Sequence, residues 1–213
     1  FLGTPEAYRV VSQANPHGQS VAMAADLLAI AMAELGSIAE RRLDRLINPT
    51  VSGLPAFLVS QPGVNSGMMI VQYVAASLCA ENRQLAQPAV IDNYVTSGLQ
   101  EDHLSMGTSA ALKLHKVLEN VTQILAIEYL LAAQAFEFFK GPRFGVGTEA
   151  AWRLLRERVP AYDEDRWLAP DIASSVTLLK NEESLESVFQ VCRDYAAAHH
   201  HNSRTPSATS AEQ

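Results

Sequence analysis

At 213 residues the chain is long enough for one domain with a sizeable core, and 48% hydrophobic residues with a net charge of −7 mark an acidic globular protein. Only 16 Lys plus Arg are present, and the densest basic group, Arg41, Arg42 and Arg45, lies among Glu34, Glu40 and Asp44. It reads as a solvated face, which excludes a nucleic-acid partner, and two cysteines, Cys79 and Cys192, make no disulfide framework, which suits a reducing, cytoplasmic compartment.

Residues 1–20 form a lead-in, extended over 1–13. After Gly18 a helical period takes over through Val21, Ala25, Leu28, Met32, Leu35, Ile38 and Leu46, and it stops at Asn48-Pro49. A Gly- and Pro-rich loop runs to Asn65. A second helix is expected over 67–84, with Val71, Val74, Leu78 and Cys79 on one face, followed by an extended connector over 88–97. The third helix is expected to start near Gly98 and to carry apolar residues at Leu104, Ala111, Leu114, Leu118, Val121, Leu125, Leu131, Ala135 and Phe138. Its most hydrophobic part, 121–139, is interrupted by Gln123, Glu128, Gln134 and Glu137, so it falls short of a membrane span, and no signal-peptide pattern precedes it. Strand alternation is nowhere sustained. The fold class is all-α, with long near-parallel helices over 21–140 forming part of a multi-subunit bundle core.

The third helix also bears on assembly. At 1.5 Å per residue, about 38 residues span about 57 Å, whereas a compact domain of this size is about 44 Å across. The overhanging apolar positions therefore need helices from other chains to cover them.

Past Gly141 a smaller helical region is expected over 141–198, with helices over 148–158 and 184–198 and a charged turn at Asp163-Glu164-Asp165-Arg166. Gly145-Val146-Gly147-Thr148-Glu149-Ala150 matches a dinucleotide fingerprint only in letters, because a helix and not a strand precedes it. His199, His200 and His201 are adjacent and do not converge as metal ligands would, and residues 199–213 read as a flexible tail.

The densest chemistry lies in TSGLQEDHLSMG, from Thr96 to Gly107. Ser97 followed by Gln100 is a capping-box pattern, which would put Glu101 and Asp102 at the positive end of the third helix, where they need touch no ligand. Successive helical side chains point about 100° apart, so Glu101, Asp102 and His103 do not jointly ligate a metal, and His103 reads as a packing or hydrogen-bonding residue.

The QEDHLSMG segment resembles a signature of the histidine ammonia-lyases within the aromatic amino acid lyase family. Asn15-Pro16-His17-Gly18 with the following helix, Ser52-Gly53-Leu54-Pro55-Ala56-Phe57-Leu58, and Gly63-Val64-Asn65-Ser66-Gly67 resemble further family segments in order. The resemblance covers about residues 10–140 and implies a tetrameric core of long helices with active sites built from more than one chain. It puts Gln100, Asn15 and His17 in the substrate pocket as binding residues and makes Glu101 the catalytic candidate. It also implies an electrophile, the 4-methylidene-imidazol-5-one (MIO) group, made by cyclising Ala-Ser-Gly. No Ala-Ser-Gly occurs in this sequence, and Pro16 stands where the family has an aromatic residue.

By that resemblance the chain corresponds to the C-terminal part of a lyase acting on histidine or another aromatic amino acid. The MIO half would lie in a missing N-terminal part or in a partner chain. Two other readings stay open: part of an MIO aminomutase, and a helical assembly or regulatory subunit without chemistry.

Overall fold

The structure, a computed structural model, describes residues 2–4, 7–10, 16–139, 141 and 144–200. Strands β1 (Leu2–Thr4) and β2 (Ala7–Arg9) pair antiparallel, Gly3 opposite Tyr8, so the extended lead-in carries a small two-stranded ladder. Everything after it that is regular is helical among the described residues: α1 (Gln19–Ile47), α2 (Pro49–Ser52), α3 (Met69–Leu85), α4 (Gly107–Phe138), α5 (Val146–Arg156), α6 (Ala169–Lys180) and α7 (Glu182–His200). The all-α expectation holds. The tail residues 201–213 lie outside the described residues.

Helix α1 ends where Pro49 cannot donate to the ladder, and the Asn48 side chain then accepts from Thr50 N–H at 3.1 Å to cap α2. Two differences from the sequence reading matter. Helix α4 begins at Gly107, not near Gly98, because Ser97, Gly98 and Leu99 take left-handed backbone conformations that no helix contains. Its 32 residues measure about 48 Å, shorter than the ~57 Å expected from the sequence. Helix α6, which the sequence reading left without an element, fills 169–180.

Two compact units are present, Phe1–Glu34 with Asn82–Leu118, and Leu35–Glu81 with Glu119–Gln213. In the second, Ala39, Leu43 and Ile47 of α1, Val71 and Ala75 of α3, and Ile124, Ile127, Leu131 and Ala135 of α4 recur at three- and four-residue spacing and form one core with Leu58, Val59, Met68 and Tyr162. A neighbouring cluster joins Leu130 and Ala133 to Leu155, Val159 and Leu178.

Backbone placement in this unit is fixed by a few polar side chains. Gln134 is 1% exposed, donates to the carbonyls of Leu58 and Tyr162, and accepts from Tyr162 N–H at 2.9 Å. Asp165 accepts from the N–H groups of Ser66 and Gly67 at 2.8 and 3.0 Å and from the Tyr162 hydroxyl, which together hold its carboxyl below the usual carboxylate range. Gly67 is required there: its φ is +61°, and a Cβ would sit 2.5 Å from the Phe57 carbonyl oxygen.

Among the described residues α1 alone is long and apolar enough, by length and composition, to cross a membrane. It is amphipathic in use: Ala22, Ala29, Ala39 and Leu43 are buried, while Val21, Leu27, Leu28, Ile30 and Ile38 are 45–73% exposed.

Candidate active site

The first unit brings together two of the segments singled out above. His17 and His103, 86 residues apart, stack with ring centroids 5.1 Å apart and planes within 10°. His17 Nδ1 lies 3.2 Å from the Gln19 backbone N–H, which can only donate, so Nδ1 is unprotonated and the proton sits on Nε2. Nε2 then donates to the His103 carbonyl at 2.8 Å. Both ring nitrogens of His17 are thus engaged, and the ring works as a brace. Gly18 lets the segments approach, since a Cβ would lie 3.3 Å from Ser105 Oγ.

His103 is held from its other side. Asn93 Oδ1 accepts from Leu104 N–H at 2.9 Å and Asn93 Nδ2 donates to the Leu104 carbonyl at 2.9 Å; these backbone partners fix which way the amide points. Nδ2 also lies 2.8 Å from His103 Nδ1, which must therefore accept. The expectation that His103 hydrogen-bonds and packs is met by a carbonyl, an amide and an imidazole.

Gln100 and Glu101 occupy a tight loop, not a helix end. Thr96 and Glu101 exchange backbone hydrogen bonds of 2.9 and 3.3 Å, closing Ser97–Gln100 into a turn with φ values of +55°, +64° and +73° at Ser97, Gly98 and Leu99. Ser97 does not cap α4, which starts six residues after Glu101 and has no acid in its first turn. The capping-box reading is therefore corrected. Two left-handed non-glycine residues there, and Met106 at φ +54°, concentrate strain in the segment that carries the carboxylate. Glu101, Asp102 and Gln100 are exposed. Asn15 lies outside the described residues, and Pro16 and His17 are the first described residues of its segment.

The connector 88–95 is anchored from beneath. Asp26, 3% exposed, accepts from Ala89 N–H at 2.7 Å and Val90 N–H at 3.0 Å, and Lys113 Nζ lies 3.1 Å from its other oxygen. Burial pushes the Asp26 carboxyl up, but the Val90, Lys113 and Ala89 hydrogen bonds and the Lys113 charge outweigh it and hold the group below its ordinary value. Sequence reasoning missed both Asp26 and Asn93. A signal existed for the first: Asp26 is the only charge between Gln19 and Ala33, on an otherwise apolar helix. Among the described residues no three His, Cys, Asp or Glu side chains converge as a metal site.

A family model for aromatic amino acid lyases matches residues 3–157. The chain belongs to the aromatic amino acid lyase family. It is 54% identical to a histidine ammonia-lyase of Symbiobacterium thermophilum over 187 residues, covering 88% of this chain and 37% of that protein. The crystal structure of histidine ammonia-lyase from Trypanosoma cruzi is similar with a TM-score of 0.82 at 44% identity, over 86% of this chain and 36% of that one. A tyrosine aminomutase from Streptomyces globisporus is also similar, with a TM-score of 0.80 at 35% identity over 89% of this chain and 36% of that one. The chain spans just over a third of the length of the curated family members it matches.

Proposed function

We propose that this chain supplies the substrate-positioning part of an ammonia-lyase that eliminates ammonia from an α-amino acid, histidine or another aromatic one. The observation that carries the reading is the His17–His103–Asn93 clasp, which ties the Pro16–Gly18 segment to the Gln100–Leu104 segment, two of the four segments that carry the family resemblance. Elimination needs an activated amine, an acceptor for the β-proton, and groups that orient the side chain. Glu101 is the group for orienting a cationic ammonium or imidazole, or for taking up a proton. Gln100 offers an amide donor and acceptor beside it, and the family resemblance gives Asn15 a substrate-binding role too. His17 contributes position and ring surface, since its nitrogens are committed.

The MIO group that the family implies does not fit the residues present here, because no Ala-Ser-Gly is available to cyclise. No step of the chemistry is therefore assigned through it in these residues; the Ala-Ser-Gly-bearing part of the enzyme, in the same polypeptide or a partner chain, would supply it. The expected result for the 213-residue chain alone is no turnover. Ultraviolet detection of an α,β-unsaturated acid from it would overturn the reading, and co-expression with the Ala-Ser-Gly-bearing chain is the complementary arm.

The same reading places the chain in an assembly with a tetrameric core, in the cytoplasm. What supports it is the number of exposed apolar side chains round α1, Val21, Leu28, Ile30 and Ile38 among them. Helix packing against other copies or the partner chain covers such side chains. Light scattering is expected to show a mass above 23.2 kDa, and a stable, folded monomer would count against it. An aminomutase is the second reading, favoured by the likeness to tyrosine aminomutases; product analysis for a β-amino acid distinguishes it.

A further inference from the structure

We propose that Asn93 is a positioning residue for the reacting loop: it fixes residues 101–104, and through them Gln100 and Glu101, without touching substrate itself. The inference rests on the reading of Glu101 given above, and it adds a residue that the family segments quoted from the sequence do not include.

The argument starts from strain. Ser97 and Leu99 hold left-handed backbone conformations on an exposed loop, and such conformations cost about 1–3 kcal/mol each unless the surroundings over-determine them. Nothing apolar does so here, since residues 91–103 are exposed throughout. Two sets of polar contacts remain. One is the Thr96–Glu101 backbone pair, which closes the turn but leaves it free to swing as a unit. The other is Asn93, whose amide pairs with both the N–H and the carbonyl of Leu104 and with His103 Nδ1, at 2.8–2.9 Å. A single side chain thus pins the exit of the strained turn in three directions. Asn93 is itself aimed by its Oδ1 accepting from Tyr94 N–H at 2.9 Å, and its segment is seated by Asp26 on Ala89 and Val90. The His103 carbonyl then passes the restraint to His17.

Only an amide does this. A carboxylate of the same shape keeps the bond from Leu104 N–H, and keeps His103 if that ring carries its proton on Nδ1, but it turns a lone pair toward the Leu104 carbonyl. Asn93→Asp therefore replaces the donor to the Leu104 carbonyl by a repelling charge with almost no change in volume, at a surface position where folding is little affected.

The test uses the full chain and its reconstituted complex. In the Asn93→Asp chain, amide exchange over residues 96–104 is expected to rise about tenfold or more, while α4 keeps its protection. In the complex, kcat/KM is expected to fall about ten- to a hundredfold, since small displacements of positioning groups are costly. Adding Asn93→Asp to Glu101→Gln is expected to cost little more than Glu101→Gln alone, because the two act as one unit. Unchanged exchange over 96–104 overturns the proposal, as does full activity of Asn93→Asp where Glu101→Gln is damaged, or full additivity of the two. Exchange loosened across α4 as well would make Asn93 a general stability residue and overturn it too. If Glu101→Gln is itself silent, the reading of Glu101 fails, and the exchange arm alone decides whether Asn93 holds the segment.

Discussion

Replacing Glu101 by glutamine is expected to lower turnover of the reconstituted enzyme by about a hundredfold or more, the usual loss for a group that orients substrate or moves a proton. Stability is expected to change by no more than about 0.5 kcal/mol, as for other exposed positions. The competing role, neutralising a helix end, was worth about 0.3–1 kcal/mol, and the structure removes it: α4 begins at Gly107, and Glu101 sits in a closed turn ahead of it. Glutamine keeps the shape and the backbone pair with Thr96 and deletes only the charge. Turnover and melting temperature are measured side by side on the same preparation. Near-normal turnover would take Glu101 out of the chemistry and leave the burden on the chain that carries Ala-Ser-Gly.

The helices were legible in the sequence wherever burial follows the helical period. The stop at Asn48-Pro49 and the spacing of Val71, Val74 and Leu78 were enough to outline α1 and α3. Helix α6 escaped because its periodicity is masked by polar residues. Ser175 is fully buried in the core yet donates to the Ala126 carbonyl at 2.9 Å, a satisfaction that only the tertiary structure shows. Its remaining signals, Pro170 at the first turn with Asp171 beside it, are those of a helix start and were passed over. The start of α4 failed for a different reason. Ser97 and Gln100 have capping-box chemistry, but Gly98 between them and the Thr96–Glu101 pair spend that chemistry on a turn.

The candidate site was legible as a set of segments and not as a geometry. Gln100, Glu101 and His17 were named from resemblance, and the meeting of His17 with His103 across 86 residues follows from no local pattern. Asn93 is a degree further from view. Its partners are 10 and 11 residues away, across a turn whose left-handed residues no propensity predicts, so nothing local singles out an Asn in an extended connector.

The largest expected effect on stability belongs to Asp26. Asp26→Ala leaves the Ala89 and Val90 N–H groups without their acceptor and the Lys113 ammonium with only the Gln87 carbonyl, in a place where Asp26 itself is 3% exposed. Breaking a buried pair from one side costs about 3–5 kcal/mol. The lower end is expected, because the Lys113 side chain is 22% exposed and can turn to water. For a chain of this size about 3 kcal/mol corresponds to a fall in melting temperature of about 6–12 °C. The pH dependence has a definite sign. The Asp26 carboxyl is held below its ordinary 3.8 when folded, so its contribution is present above that value and is lost as pH falls through it. Between pH 5 and 8 it should therefore be flat on this account. Removing the charge as well, in Asp26→Ala with Lys113→Met, is expected to recover part of the loss, because the ammonium then no longer sits without its counter-charge. Amide exchange should place the damage first in the connector that Asp26 seats, residues 88–95, and then in the clasp at Asn93. A loss below about 1 kcal/mol, the worth of a single ordinary hydrogen bond, would show that the connector is held by other contacts and that Asp26 is not its anchor.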